Sequence, residues 1–506
     1  MGDNKIKTLD ELQRITELLR SQGKKIVHCH GCFDIVHFGH IQHFLSAKKQ
    51  GDILIVTLTP DKFIDKGPGR PFFNENIRVK HISNLECVDY VALNKWATAI
   101  ETIKIIKPDF YCKGKEVLDN ADVDKLSGGK SNLSAEEDAV KLVGGKLYLT
   151  DEITFSASKI INEITDSISD QTKEFLKEVK KIPGKIGDIL NSLKDIKILV
   201  IGDAILDEYC FCGALGKSGK DPIIVHKFLK SETYLGGSFA IANHLAGFTK
   251  NVHLVTCIGD NSKLIQKGLN KKIDGKIFVK KNSETIRKRR YIDDYKRIKI
   301  FEICNTHDLK LSNEIERDVL KYLKNNLDKF DIVLISDFGH GMITNKIKEF
   351  LTNAHKFLVV NSQLNGENQG YNFITKYLRA DFVSLNENEL RHNFQDKEKD
   401  VRELIFELNR LLRVNNINIT RGKYGSIYYK NGEFFQIPGF LTRPVDTVGA
   451  GDAVLAIESL LTYKNINPKI IGLIGNCVGA LACNVMGNKK PIDPIKLKKF
   501  ISYVLK

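Results

Sequence analysis

Short apolar runs alternate with amphipathic stretches between residues 25 and 165. The apolar runs predict strands at Lys25–His30, Asp52–Leu58, Tyr90–Leu93 and Phe110–Cys112. The stretches between them have helical periodicity at His40–Gln50, Glu75–Leu85 and Ala97–Ile106. This alternation of strand and helix is typical of βαβ units. It predicts a mainly parallel sheet with helices on both faces.

The same rhythm returns with wider spacing after residue 195. Buried strands are predicted at Ile196–Ile201, Val252–Thr256, Ile332–Ser336, Phe357–Val360, Phe382–Leu385 and Ile417–Thr420. Two further segments, Pro222–Phe228 and Thr285–Glu302, have the pattern of antiparallel strands and predict a small lid sheet. The fold class is therefore α/β, with two domains that each contain a mainly parallel sheet.

The segment 166–194 differs from both halves. It contains a charged helical stretch, Gln171–Lys181, then the breaker Pro183-Gly184, then a second short helical stretch, Lys185–Leu193. Such a segment is typical of a helical linker. It predicts a first domain over 1–165 and a second over 195–506.

Composition narrows the class of protein. The chain has 506 residues, of which 42% are hydrophobic and 27% charged, which is typical of a globular protein. No run approaches the roughly 18 apolar residues of a membrane helix, and the N-terminus has no apolar signal core. We therefore expect a cytoplasmic protein with no membrane partner, whose ten cysteines are free thiols.

The net charge of +15 predicts attraction of polyanionic small molecules. Lysines are spread along the chain, and no nucleic-acid-binding module is evident, so we expect no nucleic-acid partner. The densest basic run, Arg287–Arg290, lies in a predicted strand, which favours a local role.

The first candidate site is the run GCFDIVHFGH, Gly31–His40, which follows a predicted strand and leads into a helix. His37 and His40 are three positions apart and face the same region. The helix N-terminus adds positive potential. Such a group can hold a triphosphate and stabilise charge on the α-phosphate and the leaving pyrophosphate. His37 and His40 are the predicted catalytic residues, with a purely structural pair as the alternative.

Over about residues 25–165 these motifs resemble the cytidylyltransferase-like nucleotidyltransferase superfamily, which implies a Rossmann-like fold. The GxFD, RP…R, PD…KG and ISTS-like motifs all have counterparts. The resemblance implies nucleotide or phosphate binding by Phe33, Asp34, Lys48, Arg78, Lys113, Ser156 and Ser158. The two serines also suit simple helix capping.

The second candidate site is DTVGAGD, Asp446–Asp452, which precedes an apolar helix. Small residues at a helix start leave backbone N–H groups available to an anion, as the transfer of a γ-phosphoryl group requires. The predicted cradle consists of Thr447, Gly449, Ala450 and Gly451. Asp452 is positioned to accept the proton of a sugar hydroxyl. A glycine turn with an acidic N-terminal residue is the alternative.

Nearly all of residues 196–506 resemble the PfkB/ribokinase family, which implies a ribokinase-like fold, ATP as donor and Mg²⁺. The resemblance implies sugar binding by Asp203, Asp207, Gly236 and Gly237. It implies magnesium and phosphate binding by Asn386 and Glu389, with Glu389 at the metal. It also implies nucleotide binding by Thr420, Gly422, Gly425 and Asn476.

Three positions depart from that family. Ala240 stands where the family usually has a sugar-reading Asn, and His340 replaces a frequent Lys. Asn361-Ser362-Gln363-Leu364 stands where relatives have DPKG. Because Asp452 and the cradle are intact, we expect phosphoryl transfer with an altered sugar.

The two halves together resemble the bifunctional ADP-heptose synthases, with the domain order reversed. The resemblance implies a kinase that phosphorylates a heptose 7-phosphate-like sugar at its anomeric hydroxyl. It also implies a transferase that converts a sugar 1-phosphate and ATP or CTP into a nucleotide-sugar and pyrophosphate. Partners would be sugar phosphates, nucleoside triphosphates and a second copy bound through the lid segments 222–233 and 286–303. The alternatives are a transferase carrying a non-catalytic, sugar-binding regulatory module, and a cytidylyltransferase for a polyol phosphate.

Overall fold

The structure is a computed structural model that describes residues 3–505, except 65–70, 116–131, 151–169, 261–264, 266–267, 306–310, 365, 367, 369 and 441–443. The chain divides into two compact units, Met1–Asp170 with Lys498–Lys506, and Gln171–Leu497. The predicted α/β class, with a mainly parallel sheet in each half, is confirmed. The domain bounds 1–165, 166–194 and 195–506 stay a prediction.

The N-terminal unit has a five-stranded sheet in the order β3-β2-β1-β4-β5, and all of its pairings are parallel. Its strands are β1 (Ile26–Gly31), β2 (Ile53–Leu58), β3 (Tyr90–Leu93), β4 (Phe110–Gly114) and β5 (Lys146–Thr150). Its described α-helices are Leu9–Ser21, Phe38–Lys48, Glu75–Ser83, Ile100–Ile106 and Asn132–Leu142. β5 and the helix Asn132–Leu142 were not predicted.

The strand order of this sheet reverses between β1 and β4. From β1 the chain proceeds outward through β2 and β3, and then returns to place β4 on the other side of β1. In open α/β sheets, ligands bind outside the carboxyl ends of the strands at such a switch point. β1 ends at Gly31 and β4 at Gly114, so the run that contains His37 leaves the sheet at this crevice.

The C-terminal unit is built on a nine-stranded sheet in the order β10-β9-β6-β13-β14-β15-β16-β17-β18. The pairings are parallel from β10 to β16 and antiparallel from β16 to β18. The strands are β6 (Lys197–Gly202), β9 (Asn251–Ile258), β10 (Ile273–Val279), β13 (Ile332–Asp337), β14 (Phe357–Ser362), β15 (Phe382–Asn386), β16 (Asn416–Thr420), β17 (Ser426–Lys430) and β18 (Glu433–Ile437). Every residue of β13 is buried, as expected for a parallel strand covered on both faces.

Helices flank this sheet. The described α-helices of the C-terminal half are Asp170–Lys181, Ile186–Asn191, Ser238–Leu245, Asn313–Asn326, Asn345–Thr352, Glu387–Phe394, Val401–Leu412, Ala450–Tyr463, Pro468–Cys483 and Pro494–Val504. The first two of these are the helical pair that the sequence predicts between the halves. Short 3-10 helices occur along the described chain at Asp3–Lys5, Asp61–Phe63, Leu327–Lys329, Ile374–Lys376 and Gly422–Tyr424.

A separate four-stranded sheet, the lid, has the order β12-β11-β7-β8. Its strands are β7 (Ala204–Lys217), β8 (Ile224–Gly237), β11 (Ile286–Asp293) and β12 (Lys299–Asn305). The lid is larger than predicted, because β7 also belongs to it. The predicted single strand Thr285–Glu302 is a hairpin. Its turn forms because Asp293 accepts a hydrogen bond from the amide of Lys296 (2.7 Å) and Arg297 adopts a positive φ of 56°.

Among the described residues, no helix combines the length and the apolar character needed to cross a bilayer. All ten cysteines are free, as predicted. No group of three or more His, Cys, Asp or Glu side chains suited to a metal ion occurs in the part of the chain that the structure describes.

Candidate active sites

His37 and His40 form a stacked pair at the start of the helix Phe38–Lys48. His37 is the N-cap residue, with extended backbone, and the two ring centroids are 3.9 Å apart with 27° between the planes. The ring of Phe33 packs edge-on against His40 at 5.3 Å. Partial burial lowers the pKa of His37. His37 therefore presents a largely neutral imidazole at neutral pH beside the helix N-terminus, where free amide N–H groups favour anions.

The GxFD residues build the loop that carries the histidines. Phe33 has a positive φ of 47° and folds back over Gly31, where a Cβ atom would lie 2.9 Å from its ring. The buried carboxylate of Asp34 accepts hydrogen bonds from the amides of Phe72 (2.9 Å) and Phe73 (3.0 Å). In this structure both residues shape the crevice, and their predicted contact with nucleotide stays a prediction.

Arg78 is fully buried and binds protein atoms. Its guanidinium donates hydrogen bonds to the carbonyls of Cys32 (2.5 Å) and Thr59 (2.9 Å), and it forms an ion pair with Asp61 at 2.6 Å. A further bond reaches the carbonyl of Phe73 at 3.1 Å. Arg78 thus joins the loops that follow β1 and β2. Its predicted role on phosphate stays a prediction.

The structure brings Lys113 to the crevice but not Lys48. Lys113 lies near the end of β4, donates to the carbonyl of His30 (3.1 Å) and forms an ion pair with Glu136 at 3.2 Å. Lys48 is the last residue of the helix that starts after His37, and it forms an ion pair with Asp89. At 1.5 Å per residue, roughly 12 Å of helix separates it from His40. Ser156 and Ser158 lie outside the described residues.

A buried histidine network inside the sheet was not predicted as part of the site. Thr57 Oγ1 lies 2.7 Å from His28 Nε2 and 2.9 Å from His30 Nδ1. Burial and the nearby Lys113 ammonium lower the pKa of His28 to about 3, so its ring is neutral. The alternation of β1 turns both rings to one side of the sheet. In the sequence, this network could have been recognised from His28 and His30, which are two positions apart on one predicted strand.

Asp452 lies in the first turn of the helix Ala450–Tyr463 and is buried. Gly449 precedes this helix with a positive φ of 80°, and a Cβ atom there would lie 2.1 Å from Asn488 Oδ1. At Gly451 a Cβ atom would meet no atom within 4 Å. The turn, whose amide at Ala450 donates to the carbonyl of Thr447 (3.4 Å), therefore leaves open space over the predicted cradle.

Four side chains from separate elements act on Asp452, one through a hydrogen bond and three through their charges. Gln363 Nε2 donates to Asp452 Oδ1 at 2.6 Å. Burial raises the pKa of Asp452 to about 7, and the carboxylates of Asp207 and Glu389 also raise it. The Gln363 hydrogen bond and the Lys288 ammonium lower the pKa of Asp452, but by less. A buried carboxyl with such a pKa suits proton acceptance near neutral pH.

Asp207, a predicted sugar ligand, lies on the lid strand β7. Arg290 Nη1 donates to its Oδ1 at 2.5 Å. Gly236 lies against the same carboxylate, because a Cβ atom at Gly236 would be 2.1 Å from Asp207 Oδ2. Two of the predicted sugar residues are therefore in direct contact near Asp452.

Asp203 supports a turn. Its carboxylate accepts hydrogen bonds from the amides of Phe338 (2.9 Å), His340 (3.3 Å) and Met342 (3.0 Å). Burial, with a contribution from Asp337, raises the pKa of Asp203 to about 6. Its predicted contact with sugar stays a prediction.

Gly237, the fourth predicted sugar residue, starts the helix Ser238–Leu245 with a positive φ of 58°. A Cβ atom there would lie 2.5 Å from the carbonyl oxygen of Asp203. Ala240, where the family usually has Asn, is buried inside this helix.

The Asn386 and Glu389 pair is a capping box for the helix Glu387–Phe394. Glu389 Oε2 accepts from the Asn386 amide at 2.9 Å, and Asn386 Oδ1 accepts from the Glu389 amide at 2.8 Å. Burial raises the pKa of Glu389 to about 7. The box fixes the carboxylate of Glu389, whose charge acts on Asp452, so a structural role and the predicted role at magnesium are compatible.

The predicted nucleotide residues cluster at the end of β16. Thr420 donates to the carbonyl of Leu385 at 3.4 Å, and Gly422 has a positive φ of 57°. At Gly425, with φ of 82°, a Cβ atom would lie 2.0 Å from the carbonyl oxygen of Ile437. Asn476 donates to the carbonyl of Pro438 at 2.8 Å. Thr420, Gly422 and Gly425 therefore lie on the chain that leaves β16, and Asn476 reaches the segment after β18 from the helix Pro468–Cys483.

Sequence reasoning missed Lys288 and Arg290 as site residues. Burial alternates along β11, and both basic residues lie on its more buried side with Ile286 and Ile292. Arg287 and Arg289 lie on the other side, where both bind Glu208. The signal was available in the sequence: the basic run alternates between two isoleucines at strand spacing.

Comparisons with known proteins match the N-terminal and C-terminal halves of the chain to two different families. Residues 28–163 match the family described as cytidylyltransferase-like, and residues 195–493 match the pfkB family of carbohydrate kinases. The chain is 39% identical over 166 residues to the bifunctional protein HldE of Campylobacter jejuni strain RM1221, and 33% identical over 167 residues to that of Syntrophotalea carbinolica. Each alignment covers 32% of this chain and 32% of the relative.

The chain thus spans about a third of the length of these relatives, and its domain order is the reverse of theirs. Among solved structures, phosphofructokinase-2 from Escherichia coli, in complex with substrates and products, is similar with a TM-score of 0.51 at 15% identity. That similarity covers 62% of this chain and 100% of the other, and it supports the fold.

Proposed function

Since this chain belongs to the pfkB family of carbohydrate kinases, we propose that it is a bifunctional enzyme of nucleotide-sugar synthesis. Its C-terminal half phosphorylates a sugar phosphate with ATP, at the anomeric hydroxyl of a heptose 7-phosphate-like acceptor. Its N-terminal half transfers a nucleotidyl group from ATP or CTP to a sugar 1-phosphate and releases pyrophosphate. The kinase rests above all on one observation, the burial of Asp452 in the first turn of the helix that follows the open turn at Gly449–Gly451.

In the kinase, Asp452 accepts the proton of the attacking hydroxyl. Its pKa of about 7 places it partly ionised at neutral pH, and the adjoining turn at Gly449–Gly451 offers backbone N–H groups to the transferring phosphoryl group. The protein need not form a covalent intermediate, because phosphoryl transfer is catalysed mainly by positioning of the reactants and neutralisation of charge.

A phosphorylated acceptor is supported by the charge on the lid. Lys288 is buried on the same side of β11 as Ile286 and Ile292, and its charge acts on Asp452. A neutral sugar needs no such cation, whereas a sugar phosphate supplies a negative charge that would pair with it.

Magnesium fits this site as a companion of the nucleotide. Mg²⁺ usually keeps several waters and is bound by one or two carboxylates plus substrate phosphates, and Glu389 is a buried carboxylate fixed by its capping box. When bound, the ion would neutralise charge on the nucleotide phosphates. Its binding by Glu389 is part of the proposal.

In the transferase, His37 and His40 would hold the triphosphate at the switch point of the sheet, with Lys113 at the adjacent strand end. The relatives named bifunctional protein HldE, at 31–41% identity, support pairing this half with a kinase. A cytoplasmic location remains an expectation from the sequence.

A homodimer through the lid is also proposed. Large apolar side chains are exposed on both edge strands of the lid and the adjoining turns, including Ile224, Phe228, Ile298 and Phe301. Edge strands with exposed apolar side chains favour pairing with another chain. A second copy offers an identical lid edge. Pairing of the two edges into one continuous sheet would cover that edge in each copy.

The function is tested with a panel of sugars and sugar phosphates, each incubated with ATP or CTP and Mg²⁺. ADP reports the kinase, and pyrophosphate with the product mass reports the transferase. We expect ADP with a sugar phosphate that has a free anomeric hydroxyl, and pyrophosphate with a sugar 1-phosphate. Pyrophosphate without ADP for any sugar would instead favour the regulatory-module alternative. Product formation only from polyol phosphates and CTP would favour the cytidylyltransferase alternative.

A further inference from the structure

Gln363 contacts the predicted base directly. It follows β14 in the segment where relatives have DPKG, and its side-chain amide donates a 2.6 Å hydrogen bond to Asp452 Oδ1. The two residues are 89 positions apart in the chain and lie on different elements. The contact is therefore a product of the tertiary fold.

The backbone of Gln363 is fixed on two sides. Its amide donates to the carbonyl of Asp337 at 3.0 Å. Its carbonyl accepts from the side-chain amides of Asn368 (3.2 Å) and Asn372 (3.1 Å). Since these partners are protein atoms, the position of Gln363 is set before any substrate binds.

A carboxylate base has two oxygens, and only one needs to face the substrate hydroxyl. An amide N–H on Oδ1 fixes the rotation of the carboxylate and leaves Oδ2 to accept the proton. Fixed geometry matters, because a misplacement of about 1 Å can cost roughly 100-fold in rate. An amide also performs this task without becoming a competing proton acceptor.

We propose that Gln363 is a positioning residue for the kinase reaction, which holds Asp452 Oδ1 so that Oδ2 receives the proton of the sugar hydroxyl. This inference rests on the proposed kinase function and adds a residue to its machinery. The segment that replaces DPKG thereby acquires a defined role in this chain.

The groups around Asp452 determine the direction in which its pKa changes when the Gln363 donor is removed. Burial raises the pKa of Asp452, and the Gln363 hydrogen bond is the largest influence in the opposite direction. The charged groups that face Asp452 are Asp207 on β7, Glu389 on the helix after β15 and Lys288 on β11. Removing the Gln363 donor takes away the largest of the opposing influences, so the pKa of Asp452 rises further.

The test compares Gln363→Leu with Gln363→Lys in the full-length chain. The leucine lacks a donor, so the acid limb of the kcat/KM profile for phosphorylation should move up by about one pH unit. The kcat at pH 7 should fall about 10- to 100-fold, with KM for ATP within about twofold. The lysine restores a donor and adds a positive charge, so its acid limb should lie below that of the wild type. Gln171→Leu, on an exposed helix position, is the matched control and should leave the profile unchanged.

A second measurement does not depend on turnover. Infrared titration of the Asp452 carboxyl band, assigned by its absence in Asp452→Asn, should give the same order of midpoints, leucine above wild type above lysine. Wild-type protein that phosphorylates nothing in the sugar panel would refute the kinase function, while the infrared order still reports on Gln363. Equal infrared midpoints, or a fall in kcat without any shift of the acid limb, would overturn the proposal for Gln363.

Discussion

The phenol of Tyr209 donates a 2.8 Å hydrogen bond to Asp446 Oδ2, which joins the lid strand β7 to the turn of the predicted anion cradle. Lys299 on β12 binds the other oxygen at 2.6 Å. Burial alone would raise the pKa of Asp446, but these donors, with the amide of Val448, lower it. The lid and the cradle are therefore held together by one buried carboxylate.

Tyr209→Phe tests this connection. The change leaves a buried, charged acceptor with one donor fewer, which typically costs about 1.5–3 kcal/mol. We expect a lower unfolding midpoint for the kinase unit and a kinase kcat reduced about tenfold, with nucleotidyl transfer unchanged. Tyr295→Phe, at an exposed position of the lid turn, is the matched control. Equal unfolding midpoints for the two variants, measured by calorimetry, would show that the bond does not stabilise the fold.

Gly236→Ala tests the contact between the lid and Asp207. The new methyl group would lie 2.1 Å from Asp207 Oδ2, so the carboxylate must move. We expect KM for the sugar to rise about tenfold or more, because Asp207 is a proposed sugar ligand. The matched control is Gly219→Ala, where a Cβ atom meets nothing within 4 Å. Unchanged sugar kinetics in Gly236→Ala would remove Asp207 from the sugar site.

Local patterns predicted most of the framework. The strands from β1 to β4 and the DTVGAGD turn could be identified because apolar alternation and a glycine turn before a helix are properties of adjacent residues. The contact of Gln363 with Asp452 could not, because 89 residues separate the two and no local pattern records their proximity. The capping box of Asn386 and Glu389 was visible as Asn-x-x-Glu, a pattern that a family motif had already explained.

Asp452→Asn and His40→Ala test whether the two reactions use separate sites. The asparagine cannot accept the proton of the sugar hydroxyl, so kinase kcat should fall about 10²- to 10⁴-fold while pyrophosphate release continues. His40→Ala removes one of the stacked imidazoles, so the opposite pattern is expected. Each variant serves as the control for the other in paired assays of ADP and pyrophosphate. A variant that loses both activities while its melting curve matches the wild type would contradict separate sites.

Glu458→Gln tests a buried carboxyl in the kinase core. Glu458 Oε2 accepts a hydrogen bond from the side-chain amide of Asn418 at 2.7 Å. Its Oε1 packs against Gly475, where a Cβ atom would lie only 1.9 Å away. Burial raises its pKa well above the usual 4.5. A carboxyl whose pKa is raised by folding destabilises the folded state as pH rises above the unfolded pKa, because the folded state must keep the proton or bury a charge.

Glutamine removes this titration and keeps an acceptor for Asn418. The variant and the wild type should melt at similar temperatures near pH 4.5, and the variant should melt higher at pH 8. Each kcal/mol gained corresponds to about 2–4 °C in a domain of a few hundred residues. Calorimetry across this pH range measures the gap. A gap that stays constant with pH would show that Glu458 does not titrate on unfolding.

Phe228→Asp tests the proposed dimer. Phe228 is 58% exposed on the edge strand β8 of the lid, and Phe406, 50% exposed on the helix Val401–Leu412, is a matched position outside the lid. A charge at a buried interface position has no partner and opposes association, so Phe228→Asp should shift the protein from dimer to monomer in light scattering. Phe406→Asp should leave the wild-type mass unchanged. Because the lid also carries Asp207 and Lys288, loss of the dimer should be compared with kinase KM for the sugar in the same samples. A wild-type chain that is already monomeric at assay concentration would exclude the lid as a homodimer interface.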